Sequence, residues 1–268
     1  MLPAPDVPEF AGTEPEAAAR AVRQAWTVGE RPIRNLVHLL EQHGVSVFSL
    51  AEQCREVDAF SVWRNGTPYV FLNTMKSPER SRLDAAHELG HLVLHRHAHA
   101  ACSERASDDD EHVSSFHGRE AEAEANRFAS AFLMPRAALR ATAPRMPTFD
   151  QLVQLKRTWR VSLAALAHRL HNIGTMNDWQ YRNLCIEFSR KGYRTREPQG
   201  LEERETSQVL PKVFAELRKK GTRRHDVARA LRVHLGELDE LLFGLVIAGV
   251  DGPEAPATSP PRGHLRLV

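Results

Sequence analysis

The chain has 268 residues, 42% of them hydrophobic and 26% charged, and a formal net charge of +2. That balance is the profile of a soluble globular protein with a sizeable core, and it excludes wholesale disorder. So small a net charge gives the whole molecule little general attraction to nucleic acid, and no apolar run approaches the roughly 18 to 20 residues that a spanning helix needs.

The N-terminal residues 1–15 are rich in Pro, Glu and Ala and are expected to be flexible. Asp6, Glu9, Glu14 and Glu16 make this end acidic, without the basic start and apolar stretch of a secretory signal. Cys54, Cys102 and Cys185 are scattered without a close pair, which suits a reducing compartment, and the expected location is the cytoplasm. Two amphipathic helices follow, over 16–26 and 33–43, the second ending near Gly44. Strands begin at Val45. Segments 57–63 and 69–72 flank Arg64-Asn65-Gly66-Thr67, where Asn-Gly is a hairpin signal, with Pro68 at a strand start.

Helical spacing returns over 83–94, and a second long helix is expected over 119–133, stopped by Pro135. The acid-rich stretch 102–118 between them is long enough for a flap. Shorter helices are expected over 150–159 and 162–171, the latter capped by Ser162. From residue 201, Val209, Val213, Leu217, Val227, Leu231, Leu235, Leu238, Leu241 and Leu242 keep helical spacing. Residues 201–250 therefore read as a small helix-turn-helix-like module, with bases crowded between Lys212 and Arg232, and 251–268 as a disordered tail. No internal repeat is evident.

The chemistry concentrates in His87-Glu88-Leu89-Gly90-His91. Residues four apart on a helix share one face, so His87 and His91 can share one tetrahedral zinc ion while Glu88 projects beside them as a general base for a zinc-bound water. Zinc then needs a third protein ligand and an open position. Glu120, Glu122 and Glu124 lie on the second predicted helix. They are two residues apart, which turns neighbours about 200° around the axis, so if Glu122 faces the metal then Glu120 and Glu124 point largely elsewhere. His95 continues the histidine stripe, but helical drift carries it away from the metal and a polar or structural role is expected for it. His97, His99, His112 and His117 with Cys102 match no closed zinc pattern. Tyr69, His117 and Tyr181 are candidates, by residue type alone, for a donor to a developing oxyanion.

Taken in order, AHELGHLVLH, ExEANRFASAFLMP, RTWRVSLAALAHRLHNIGTM and KGYRTREP resemble the ImmA/IrrE family of zinc-dependent metallo-endopeptidases over roughly residues 20 to 200. The resemblance implies an α+β fold: a mainly helical zincin-like metalloprotease domain with a small sheet over 16–200, followed here by the helical module. It implies Zn2+ held by His87, His91 and Glu122, with Glu124 the alternative third ligand, and it makes Glu88 the catalytic base of a gluzincin-like endopeptidase. Asn126, one turn beyond Glu122, is placed to orient a liganding imidazole. The implied substrate is a protein, a transcriptional repressor or antitoxin-like regulator. A rival reading is a metal-stabilised adaptor acting through DNA or protein contacts of the basic module. Retention of Glu88 argues for the enzyme, because metal binding alone needs no general base.

Overall fold

The computed structural model describes residues 3–50, 56–96, 111–193 and 197–246, with 111–117 as backbone only. Its elements in order are α1 (Pro15–Ala25), α2 (Leu36–Gln42), β1 (Ser46–Ser49), β2 (Ala59–Arg64), β3 (Thr67–Leu72), α3 (Pro78–Leu94) and α4 (Glu111–Leu133). There follow α5 (Arg136–Thr142), α6 (Phe149–Trp159), α7 (Leu163–Asn172), α8 (Asp178–Arg190), α9 (Val209–Lys219), α10 (Arg224–Leu231) and α11 (Leu235–Leu242). The fold is α+β and mainly helical, with one small sheet. No helix among the described residues is long and apolar enough to cross a membrane.

The sheet has the order β1-β3-β2, with β1 parallel and β2 antiparallel to the central β3. Asn65 and Gly66 both take positive φ, 51° and 75°, as a two-residue hairpin of type I′ requires. Pro68 opposes Trp63 next to the turn, and the β1 register begins only at Tyr69, so the N–H that proline lacks is not needed by either neighbour. Val47, Val70 and Ser61 face the interior, while Phe48, Tyr69, Phe71 and Phe60 form a stacked aromatic row on the other face.

α3 lies on the inner face. It starts at Ser77, whose hydroxyl caps the Arg80 N–H, with Pro78 in the first turn. The Ser61 hydroxyl and the Trp63 indole of β2 donate to the carbonyls of Glu88 and Leu92, at 3.3 and 3.2 Å, which fixes the helix against that strand one turn at a time. α4 packs along α3, and Gly90 makes their approach close: a Cβ there would lie 3.1 Å from the Ala125 Cα and 3.2 Å from the Phe128 ring.

Several sequence expectations are corrected. α4 begins at Glu111, so the last part of the supposed flap, 111–118, is helix, while 102–110 lies outside the described residues. α3 starts at Pro78, before the apolar pattern does, because Glu79 and Arg82 are buried as ion pairs with Lys156 and Glu205. α5 and α8 were not expected. α8 buries only Phe188 and so offers little apolar periodicity, although Asn177 and Gln180 form a capping box at its start. Residues 6–10, read as flexible, are tied down by Asp6 N–H to the His43 carbonyl and Phe10 N–H to the Val93 carbonyl, both 2.9 Å, with Val7 buried.

The turn between α10 and α11, with Arg232 left-handed and Val233 after it, has a counterpart between α6 and α7, where Arg160 is left-handed and Val161 follows. The same left-handed connection between two helices therefore occurs twice among the described residues. The C-terminal helices touch the rest of the chain through buried polar anchors. Glu205 pairs with Arg82 and accepts from the Leu36 and Val37 N–H groups, and Glu41 accepts from the Ser207 hydroxyl and the Gln208 and Val209 N–H groups. Leu210, Leu238, Leu242 and Leu245 join the main core.

Candidate metal centre

His87 and His91 share one face of α3 because they are four residues apart, and the close packing at Gly90 brings Glu122 of α4 over that face. The His87 and His91 Nε2 atoms are 3.0 Å apart. Glu122 Oε2 lies 3.1 Å from the first and Oε1 3.2 Å from the second. Among the described residues, these three form the one histidine, cysteine or carboxylate group compact enough to hold a metal ion. Glu124, the alternative to Glu122, meets His95 at 2.9 Å instead.

The hydrogen bonds behind the two imidazoles show what the centre fits. Asn126 Oδ1 lies 3.2 Å from His87 Nδ1. An amide oxygen only accepts, so that ring carries its proton on Nδ1 and turns a lone pair inward. His91 Nδ1 likewise has an outer partner, His95 Nδ1 at 3.1 Å. Two imidazole lone pairs and a carboxylate facing one another at 3.0 to 3.2 Å repel unless a cation or a proton sits among them. Tetrahedral zinc with legs of about 2.0 Å separates its ligands by about 3.3 Å, close to this spacing, and the donor set is one zinc takes.

Glu88 follows His87 on the same helix and is only 6% exposed. Its carboxyl is raised to about 7, chiefly by burial and also by the Glu122 and Asp84 charges, with a hydrogen bond from the Ser61 side chain acting against them. A cation in the centre acts in the opposite direction. Asp84, one turn earlier, is raised by its own burial despite Arg80 and Lys76.

A cleft of about 1420 Å³ begins beside Asn126 and runs between α3 and α4 on one side and α7 on the other, past Leu83, Arg127, Ala165 and His168. His87, His91 and Glu122 do not line it, so it adjoins the centre and does not enclose it. Of the oxyanion-donor candidates, Tyr69 lies on the sheet face turned away from α3 and stacks near Phe48, which removes it from that role. Tyr181 stacks on His171 of α7 at 4.7 Å. The His117 side chain, and residues Cys54, His97, His99 and Cys102, lie outside what is described. The pairing of His95 with Glu124 was not foreseen; both residues were visible, but their meeting depends on how α3 and α4 are aligned.

Comparison with known proteins bears on this same region. No curated protein matches the chain. Among solved structures, a Mycobacterium tuberculosis transcriptional regulator is similar at 19% identity and a TM-score of 0.40, over 58% of this chain and 46% of that one. The present chain thus spans less than half of that protein's length. Residues 40–171 match the model of the IrrE N-terminal-like domain, peptidase M78. That interval contains His87, Glu88, His91, Glu122 and Asn126. Residues 40–171 thus form a domain of the ImmA/IrrE family, whose metallopeptidase character implies a metal ion.

Proposed function

We propose that this protein is a cytoplasmic, zinc-dependent endopeptidase of narrow specificity that hydrolyses a peptide bond in a regulatory partner protein, a transcriptional repressor or an antitoxin-like regulator. The observation that carries this reading is the convergence of His87, His91 and Glu122 on one point with the buried carboxyl of Glu88 beside it. Zinc, when bound, supplies Lewis acidity toward water and toward the scissile carbonyl. Glu88 takes the proton of the attacking water on its carboxylate and passes it to the departing amine.

β2 gives the substrate a place. It is an edge of the sheet, and its Ser61 and Trp63 side chains contact the carbonyls of α3, so a peptide added along it runs beside the centre. Side chains beyond the scissile bond reach the cleft next to Asn126. The basic helices α9 and α10 recruit the partner protein, raising its local concentration without taking part in hydrolysis.

Contact of that module with DNA is the second reading, supported by the helix-turn-helix connection at Arg232 and by Lys220, Arg223 and Arg229 around it. Against it, α11 carries Glu237, Asp239 and Glu240 where a DNA-reading helix would carry bases.

The test is co-expression of the full chain with the products of neighbouring genes. A fragment of one partner is expected with the wild type and not with Glu88→Gln, which keeps the size of the side chain but removes the proton acceptor. Equal cleavage by both would refute the mechanism.

A further inference from the structure

Behind His91, on the side away from the centre, stand His95 and Glu124. His95 caps the end of α3, with its N–H bonded to the His91 carbonyl at 3.0 Å, and its side chain is 12% exposed. Its Nδ1 lies 3.1 Å from His91 Nδ1, and its Nε2 lies 2.9 Å from Glu124 Oε2. The other Glu124 oxygen is 4.0 Å from the Arg127 guanidinium. We propose that Glu124 and His95 are positioning residues which, as one hydrogen-bonded chain, hold the His91 imidazole with its Nε2 lone pair toward the metal ion. This inference rests on the reading of His91 as a ligand.

Proton accounting fixes the direction of the chain. A carboxylate only accepts, so the proton between Glu124 and His95 belongs to His95 Nε2. A neutral imidazole with a proton on Nε2 has a bare Nδ1, which accepts from His91 Nδ1–H. His91 is then left with a bare Nε2, the atom that faces His87 and Glu122 at 3.0 and 3.2 Å. Reversing the chain requires a proton on Glu124 or a second one on His95, and it places a proton on His91 Nε2, where the ion binds.

The two imidazoles are consequently backed in different ways. His87 leans on the neutral amide of Asn126, whereas His91 is linked through a second imidazole to a carboxylate. Negative charge at the far end of such a chain raises the basicity of the ligand nitrogen, so His91 is the stronger donor of the pair. An ordinary ion pair closing the end of α3 would not require His95 to turn its second nitrogen onto His91.

The experiment measures zinc dissociation constants of the full chain by competition with a chelator. Variants are Glu124→Ala, Glu124→Gln, His95→Ala and the double alanine variant, each checked for helix content. Either alanine change should weaken zinc binding by about 10- to 100-fold. Glu124→Gln, whose amide oxygen still accepts from His95 Nε2 but carries no charge, should lose less affinity than Glu124→Ala and more than none. The double variant should be little weaker than either single one, because both break the same chain.

A second reading needs no variant: zinc-loaded wild type should show a 15N–15N coupling between His91 Nδ1 and His95 Nδ1 across the shared proton. Wild-type affinity in both alanine variants, additive losses in the double variant, or absence of that coupling would overturn the proposal while leaving zinc binding by His87, His91 and Glu122 intact. A wild type that binds no zinc would overturn the ligand reading and this inference together.

Discussion

The metal centre is held on α3, and the C-terminal helices on α2 and α3, by different means. Around His87 and His91, the attachment is close apolar contact: Gly90 against Ala125 and Phe128, with Ala129 and Phe132 buried behind. Toward the C-terminus it is a set of buried carboxylates, Glu205 on Arg82 and Glu41 on Ser207, each also accepting backbone N–H groups at a helix start. Close packing sets distances to a few tenths of an ångström, which is what three convergent ligands need. Buried ion pairs set orientation, and they lose heavily when one partner is removed.

The sharpest way to break the second kind of attachment is Glu205→Ala. It leaves the Arg82 guanidinium, 2% exposed, without its carboxylate and the start of α2 without an acceptor. Unfolding in urea should show a loss of about 3–5 kcal/mol. Hydrogen exchange should rise first in α9 to α11, with zinc content unchanged in the folded protein. If exchange rises equally in α4, the two regions are not separable in this way.

Gly90→Val attacks the first kind. The added side chain meets backbone atoms of α4 at 3.1 and 3.3 Å, so α4 must move away from α3. Overpacking of this sort costs about 1–3 kcal/mol, and zinc affinity should fall more steeply than stability because Glu122 retreats with α4. Unchanged zinc affinity in that variant would show that ligand distance does not depend on this contact.

Glu16→Gln has the smallest expected effect. Burial pushes the Glu16 carboxyl up, but hydrogen bonds and charge from Arg169 and Arg136 outweigh it and hold the carboxyl below its ordinary range. A carboxyl group depressed in the folded state adds stability that is complete above its unfolded pKa of about 4.5 and is lost as pH falls through the lower folded value. The stability difference between wild type and Glu16→Gln should therefore be constant at neutral pH and shrink below pH of about 4.5. A difference that grows on acidification would have the wrong sign.

What was legible in the sequence follows the same division. The His87 and His91 stripe, and Asn126 one turn beyond Glu122, could be read because helical spacing alone puts them on shared faces. The Ser162 cap and the Asn65-Gly66 turn could be read because local backbone chemistry decides them. Whatever depends on a distant partner was hidden. Glu79, Arg82, Lys156 and Glu205 look like surface charges in sequence, yet all four are buried, and their burial moves the start of α3 to Pro78. His95 and Glu124 are separated by 29 positions, and only the alignment of α3 with α4 makes them a pair.

Metal analysis of the purified full chain bears most directly on the central claim that His87, His91 and Glu122 form one zinc site. Wild type should contain close to one zinc ion per chain, and His87→Ala, His91→Ala and Glu122→Ala should each lose most of it, while Glu120→Ala, with its exposed side chain, should keep it. Full zinc content in Glu122→Ala, or none in the wild type after zinc is supplied, would contradict the account.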